Sequence, residues 1–142
     1  MKISKPFGTW SSDITAKTAS KALIELSDIH SFDGNLYWIE YRPQENGRSV
    51  IVTMDKFGVI SDMFASPFSH GSKVHEYGGI AYTVLGDYLY FVNSSDQRIY
   101  SSDLSNPSED PKPFTPKNNL RYADLVPLSL IHISEPTRQK PI

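Results

Sequence analysis

The sequence contains no cysteine and no long apolar run, and its basic residues are not clustered. Without cysteine the chain cannot form disulfides, thiolate zinc sites or a cysteine nucleophile, and it fits a reducing compartment. The apolar runs are only a few residues long, so none predicts a membrane span. The net charge is −2 and no basic stripe is present, which argues against nucleic acid as a partner because phosphate binding needs clustered Lys and Arg.

The composition is that of a folded protein with the length of one ordinary domain. The chain has 142 residues, of which 39% are hydrophobic, 12% aromatic and 21% charged, and this mixture is typical of soluble folded proteins rather than disordered ones. The first fifteen residues lack the apolar core of a secretory signal. We therefore expect a cytoplasmic protein.

From residue 23 onward the hydrophobic pattern has the period of two that is typical of β-strands. We predict strands over residues 23–29, 35–41, 48–54 and 59–64, separated by the turn sequences 33–34, 44–47 and 55–58. Residues 14–26 leave an alternative open, since a short helix capped by Asp13 or Thr15 fits their first half. Four short antiparallel strands with short turns form a meander.

The second half of the chain repeats the first. Strands are predicted over residues 80–85, 88–93 and 98–102, and the unit ends near residues 112–116. A shift of 53 positions places Leu36-Tyr37-Trp38-Ile39 over Leu89-Tyr90-Phe91-Val92. Repeated four-stranded units are typical of β-propellers. The pattern thus predicts an all-β fold with two four-stranded antiparallel blades of an incomplete β-propeller, although two ordinary meanders in a β-sandwich would give a similar pattern.

Four segments follow from this repeat. Residues 1–22 are an irregular lead-in, 23–68 the first blade, 69–124 the blade junction with the second blade, and 125–142 a disordered or non-native tail, because apolar residues without a turn are followed there by a polar, proline-rich end. Two blades cannot close a ring, since propellers have about four to eight. We therefore expect the remainder of a propeller as a partner.

The segment between the two units, VHEYGGIAY at residues 74–82, is the candidate functional site. It places His75, Glu76 and Tyr77 directly before Gly78 and Gly79, a glycine pair that permits positive φ or a close backbone approach and so predicts a structural turn. The three ionisable side chains either contact a ligand or brace the junction through hydrogen bonds to backbone. A metal site is not predicted, because zinc usually takes three or four ligands and this loop offers too few.

Two arginines near the second unit have acidic neighbours in the sequence. Arg98 and Arg121 are expected to form surface ion pairs with Asp96, Asp103 or Asp124, which stabilise a protein very little.

Several motifs together resemble a known family. These are PFGTWSSDITA (6–16), LYWIEYRPQENGRSVIV (36–52), KVHEYGGIAYTV (73–84), LYFVNSSDQRIY (89–100), and TP with RYAD (115–124). In this order they resemble the start of serine peptidases of the prolyl oligopeptidase family, in the dipeptidyl aminopeptidase or acylaminoacyl-peptidase branch. The chain departs from the family pattern at Ile80, where a third glycine is more common, and after Asp124, where a third blade would begin.

The resemblance implies an N-terminal propeller that limits access to an α/β-hydrolase domain with a Ser-Asp-His triad. That triad would lie beyond this sequence, and no G-x-S-x-G elbow occurs within it, so we assign no catalytic residue, metal or cofactor and expect the chain alone to be inactive. In the full-length enzyme, Glu76 or Tyr77 would meet the amino end of a peptide substrate. The alternative is a propeller of the kelch or WD type that binds a partner protein, although the two units lack the regular signatures of those repeats.

Overall fold

The protein is described by a computed structural model over residues 4–9, 11–15, 18, 23–76 and 78–127. Its regular structure within these residues consists of two four-stranded antiparallel sheets, each a meander in which sequential strands pair. We call the first sheet blade 1 and the second blade 2. Blade 1 contains β1 (Glu25–Phe32), β2 (Asn35–Arg42), β3 (Arg48–Met54) and β4 (Ile60–Asp62), and blade 2 contains β5 (Tyr82–Leu85), β6 (Tyr88–Val92), β7 (Ile99–Asp103) and β8 (Lys112–Pro113). The two sheets do not close into a ring, and the predicted all-β fold of two propeller blades is confirmed.

The predicted strands are present, with shifted ends. The fourth strand of blade 1 is shorter than the predicted 59–64, and β5 begins at Tyr82 rather than at residue 80. Two short 3-10 turns, Pro43–Glu45 and Val74–Glu76, complete the regular elements. Near the N-terminus the amide of Thr18 donates to Oγ1 of Thr15 at 3.0 Å, as in a helix N-cap. Most of the predicted helix, and the predicted tail after residue 127, lie outside the described residues.

The first strand of blade 1, β1, contains a bulge. Ser27 pairs with Ile39 and His30 pairs with Tyr37, so the register shifts between them. Asp28 lies at this shift with a φ of +51°. A bulge of this kind increases the local twist of a strand. It also places the Asp28 carbonyl where it accepts a hydrogen bond from the hydroxyl of Tyr82 on blade 2.

The hydrophobic core lies between the two sheets. Blade 1 contributes Tyr37, Ile39 and Ile51, and blade 2 contributes Tyr82, Val84, Leu89 and Phe91, all of which are buried. Phe64, from the connection between the blades, packs against Phe91 with ring centroids 4.8 Å apart. Burying these large side chains between the sheets is what holds one blade against the other.

The two blades bury opposite faces of equivalent strands. Tyr37 and Ile39 of β2 face the core, whereas their counterparts 53 positions later, Tyr90 and Val92, lie on the face of blade 2 turned away from blade 1. The core residue Phe91 instead corresponds to Trp38, which lies on the outer face of blade 1. Since successive side chains of a strand point to opposite faces, each blade presents one face to its predecessor and the other to its successor. This relationship is that of consecutive propeller blades.

The outer face of blade 1 carries an ion-pair network. Arg42 contacts Glu40 at 2.7 Å, Glu45 at 3.1 Å and Asp62 at 2.7 Å. The hydrogen bond from Arg42 lowers the pKa of Asp62, and the hydrogen bonds that Arg42 donates to Asp62, Glu40 and Glu45 raise the pKa of Arg42, with burial opposing both shifts. Indole Nε1 of Trp38 donates to Glu40 at 3.1 Å and continues the network across the face. The charged side chains on this face of blade 1 are therefore paired with one another through charge-assisted hydrogen bonds.

Among the described residues, no helix has the length and apolar character needed to cross a membrane.

Candidate functional site

The connection between the blades is hydrogen-bonded to both of them. The amide of His70 donates to the Ser49 carbonyl of β3 at 2.9 Å, and the amide of Gly71 donates to the Val92 carbonyl of β6 at 3.1 Å. His70 also forms an isolated bridge with Asn93. The connection thus lies between the sheets like an additional short strand before it reaches the candidate segment at residue 74.

His75 and Glu76 lie on a strained and exposed turn. They belong to the 3-10 turn Val74–Glu76 and have φ values of +50° and +62°, which residues with side chains seldom adopt. Both side chains are exposed, and neither forms a hydrogen bond or ion pair with a described residue. Strain of this kind is often found at binding sites, where the surrounding structure holds it in place. The third predicted residue, Tyr77, lies outside the described residues.

Residues elsewhere in the chain hold this turn in place. Oγ of Ser72 donates to the Tyr122 carbonyl at 2.6 Å and accepts from the Val74 amide at 3.1 Å. Arg121 donates to the Lys73 carbonyl at 2.8 Å. The turn is therefore braced by side chains on either side of it and by the segment that leaves blade 2, while His75 and Glu76 remain free to contact other molecules.

Gln97 is the most deeply buried of these bracing groups. Its Oε1 accepts from the Lys73 amide at 2.7 Å, and its Nε2 donates to the carbonyls of Gly71 at 3.2 Å and Ser94 at 3.1 Å. Gln97 therefore fixes the start of the candidate turn from the β6–β7 loop of blade 2. No pattern in the sequence predicts this role, although Gln97 lies in LYFVNSSDQRIY, one of the motifs that carry the family resemblance.

The glycine pair after the turn meets the end of blade 2. Gly78 and Gly79 have φ values of +84° and +158°. A Cβ on Gly79 would lie 2.9 Å from Cβ of Ala123 and 3.0 Å from Oδ1 of Asp124, which is too close for a side chain. Glycine is needed at this position because the backbone approaches a neighbouring segment closely. At Ile80, by contrast, the side chain is partly exposed, so a residue other than glycine fits there.

A cleft of about 470 Å³ opens beside this segment, between the two blades. Its wall combines the bulge of β1, the junction and the end of blade 2, and includes Asp28, Ser49, His70, Gly79 and Asp124. His75 and Glu76 do not line this cleft. The polar groups at the junction thus form two separate regions, the cleft itself and the exposed turn.

His70 has a structural environment. Its ring is buried and packs edge-on against Phe91 with centroids 4.6 Å apart. Nδ1 lies 2.9 Å from the Ser49 carbonyl and 3.2 Å from the Ile51 amide, while Nε2 is buried without a partner among the described residues. Burial lowers the pKa of His70 to about 4, so the ring is neutral at pH 7. His70 and the exposed His75 therefore do not form a common site, and no cluster of three or more potential metal ligands occurs in the described part of the chain.

The predicted ion pairs of the two arginines are wrong. Arg98 donates instead to the Thr115 carbonyl at 2.6 and 2.9 Å, and Arg121 donates to the carbonyl of Lys73. Asp96 accepts from the hydroxyl of Tyr100 at 2.7 Å. Both arginines bind backbone carbonyls because the fold brings loop carbonyls beside their guanidinium groups. The pattern of charges in the sequence does not reveal these neighbours.

Comparison with solved structures yields clear matches. A puromycin-hydrolyzing peptidase of Mycobacterium tuberculosis superposes with a TM-score of 0.78 at 31% sequence identity, over 88% of this chain and 20% of that chain. A puromycin hydrolase superposes with a TM-score of 0.73 at 27% identity, over 87% of this chain and 20% of that chain. A further structure of puromycin hydrolase, in complex with PGG, gives the same values. The chain thus spans about a fifth of the length of these structures.

No family model matches the chain, and no curated protein matches it. The structural matches nevertheless cover both blades and agree with the ordered motifs from PFGTWSSDITA to RYAD. The ordered motifs resemble the prolyl oligopeptidase family of serine peptidases, and the superposition shows that the two blades of this chain are similar to about a fifth of a puromycin-hydrolyzing peptidase.

Proposed function

We propose that the chain is the non-catalytic propeller part of a serine peptidase that cleaves short peptides, in which the propeller limits access to an α/β-hydrolase domain. The observation that carries this proposal is the superposition of both blades on a fifth of the chain of a puromycin-hydrolyzing peptidase. We further propose the dipeptidyl aminopeptidase or acylaminoacyl-peptidase branch, and the cytoplasm as the compartment, which fits a sequence free of cysteine.

Within the full-length enzyme, Glu76 is the group proposed to meet the amino end of the peptide. Its carboxylate is exposed and has no partner among the described residues, while the turn that carries it is fixed by Ser72 and Gln97. A carboxylate held in this way gives a protonated amine a charge-assisted partner at little cost in ordering. His75 and Tyr77 are its neighbours in the proposed site.

The first test is the reading frame of the source genome. We expect further blades followed by a G-x-S-x-G serine. Further blades followed by a stop codon would contradict the peptidase proposal and favour a propeller that binds a protein.

The second test is the full-length enzyme with Glu76→Gln. Losing a hydrogen bond between charged groups costs about 1.5–3 kcal/mol, so we expect KM for short peptides with a free amino end to rise about 10- to 100-fold. The matched control is Glu109→Gln, an exposed carboxylate that pairs with Lys112 at 2.5 Å on the outer part of blade 2. If Glu76→Gln leaves KM unchanged, the role of Glu76 is excluded.

A further inference from the structure

A second cavity lies between the two blades, at the end where their hairpins turn. We call it the hairpin cavity; its volume is about 440 Å³. Blade 1 contributes the β1–β2 turn and the ends of β3 and β4, and blade 2 contributes the β5–β6 turn and the loop after β7. The hairpin cavity shares no lining residue with the cleft beside the candidate turn. Both of its walls come from this chain, and its size is that of a small-molecule site.

The blade 1 wall of the hairpin cavity carries a row of hydroxyl groups. Tyr37 of β2 pairs with Thr53 of β3, and Thr53 pairs with Ser61 of β4. Residues that lie directly opposite each other on neighbouring strands point to the same face of a sheet, so the three side chains lie on the face turned toward blade 2. None of these hydroxyls forms a hydrogen bond with a described residue. The row therefore offers unused donors and acceptors to a ligand.

The hydroxyl of Tyr37 is the deepest group of this row. Tyr37 is only 3% exposed, and a buried tyrosine usually finds a partner for its hydroxyl. Within the described part of the chain, Nε2 of His70 is the one side-chain nitrogen or oxygen that is both enclosed and unpartnered. The Tyr37 hydroxyl, which has no partner either, is consequently not enclosed and opens to the cavity that Tyr37 lines.

The hairpin cavity is also acidic. Asp33 and Asp87, one from the hairpin turn of each blade, are exposed and form no hydrogen bond or ion pair through their carboxylates with a described residue. Oδ1 of Asp55 accepts two backbone amides of its own turn at 2.8 and 2.9 Å, which leaves Oδ2 free. Asp62 is paired with Arg42, and no Lys, Arg or His lines the cavity. The uncompensated charge of the wall favours a cationic ligand.

The chemistry of the wall fits an organic cation better than a metal ion. No group of three or more potential metal ligands occurs in the described residues, so the carboxylates do not converge on one point. Phe32, which is 36% exposed, also lines the cavity, and an aromatic face attracts organic cations. Leu104 and Pro107 add apolar surface on the blade 2 side. This wall matches a ligand with a positive head and a short apolar body.

We propose that the hairpin cavity binds a small organic cation, whose ammonium or guanidinium group donates hydrogen bonds to the Tyr37 hydroxyl and to the carboxylates of Asp33 and Asp87. The same group is supplied either by a free cation or by an arginine side chain of a protein. The proposal goes beyond the proposed function, because the cavity is separate from the turn with Glu76 and binding at the cavity does not require peptidase activity.

Isothermal titration calorimetry on the full-length protein tests this proposal. The probes are agmatine, a short chain with a guanidinium and an ammonium group, and acetyl-Gly-Arg-Gly-amide, which carries the guanidinium on a peptide. We expect saturable binding that weakens at high salt, and no binding of the uncharged analogue butanediol. Tighter binding of agmatine assigns the site to a free cation, and tighter binding of the peptide assigns it to an arginine side chain.

Conservative variants locate the binding site. Tyr37→Phe removes one hydroxyl and keeps the packing of the ring, so we expect agmatine to bind about 2- to 10-fold more weakly. Asp33→Asn and Asp87→Asn keep residues that suit a turn, and each should weaken binding about 10-fold. The matched controls are Tyr41→Phe, an exposed tyrosine of the same strand, and Asp110→Asn, an exposed carboxylate, both outside the cavity. They should leave the affinity unchanged, and thermal unfolding confirms that each variant is folded.

Three results would overturn the proposal. Neither cationic probe could bind saturably to the full-length protein. Butanediol could bind as well as agmatine, which would exclude recognition of charge. The three cavity variants could bind agmatine as the unmodified protein does, which would place the bound cation elsewhere.

Discussion

Asp124 pairs with Ile80 through two hydrogen bonds, although 44 positions separate them in the sequence. The amide of Asp124 donates to the Ile80 carbonyl at 2.9 Å, and Oδ1 of Asp124 accepts from the Ile80 amide at 3.1 Å. This pairing joins the segment that leaves blade 2 to the segment that enters it. The candidate turn is consequently held from both sides, and its geometry depends on a residue that lies after the last strand.

The close approach at Gly79 predicts a large effect of a single methyl group. Gly79→Ala places a Cβ within 3.0 Å of both Ala123 and Asp124 and imposes a φ of +158° that alanine rarely adopts. We expect the free energy of unfolding in urea to fall by about 2–4 kcal/mol. Gly86→Ala is the control, because Gly86 also has positive φ but no atom lies within 4 Å of its Cβ position; we expect a loss of about 1 kcal/mol there. Equal losses at the two glycines would exclude the clash as the cause.

Burial of His70 predicts that stability falls in mild acid. Its pKa is about 4 in the folded chain against 6.5 for an exposed histidine, so the unfolded chain binds an additional proton between these values. The stabilisation is fully present above pH 6.5 and is lost as pH falls from 6.5 to 4. The loss amounts to about 3 kcal/mol, from 1.36 kcal/mol for each unit of pKa.

Urea unfolding at a series of pH values measures this dependence. The variant His70→Gln removes the titrating group and should flatten the curve between pH 6.5 and 4, whatever its effect on stability at pH 7. A slope that His70→Gln does not change would assign the acid sensitivity to other groups.

The three hydrogen bonds of Gln97 predict a local effect on the candidate turn. In Gln97→Ala the amide of Lys73 loses its acceptor, and the carbonyls of Gly71 and Ser94 lose their donor. We expect stability to fall by about 2–4 kcal/mol, since each buried group left without a partner costs about 1–3 kcal/mol. Hydrogen exchange should show faster exchange of the Lys73 amide than the global loss explains, whereas the amide of Val52 in β3 should follow the global loss alone. Uniform acceleration at both amides would contradict a local role.

Phe91 provides a test of the packing between the blades. Its ring is fully buried. The centroid of the ring lies 4.8 Å from the ring centroid of Phe64, 4.6 Å from that of His70 and 5.6 Å from that of Tyr100. Phe91→Ala should cost about 3–5 kcal/mol in thermal or urea unfolding. The matched change Phe57→Ala removes the same atoms from an exposed turn, and we expect it to alter stability by less than about 0.5 kcal/mol. A small effect at Phe91 would show that the sheets are not packed through this ring.

The sheets could be predicted from the sequence because their cause is local. Alternating apolar residues and turn pairs such as Asp33-Gly34 specify strand and hairpin without reference to distant parts of the chain. The ends of the strands depend on distant pairing, which is why β5 starts later than its pattern suggested. Residue 80 is occupied by its bonds to Asp124 and so is not available to extend the sheet.

The candidate site was harder to predict for the same reason. The turn with Glu76 could be located from its glycine pair, but Gln97 and Arg121, which help to hold it, lie more than twenty positions away, and no period or spacing relates them to the turn. His70 and His75 lie only five positions apart in the sequence. The chain separates them because the first is bonded between the sheets and the second lies on an exposed turn.

The exchange of buried faces between equivalent strands gives the blade array a direction. Each unit has a leading side and a trailing side that are complementary to one another and not to themselves. An internal gene duplication of one unit would therefore lengthen the array with a surface that already fits its neighbour, and no new complementarity would have to evolve. Duplication of a blade in the same orientation therefore preserves the packing between neighbours, whereas a blade in the opposite orientation would not fit its neighbours.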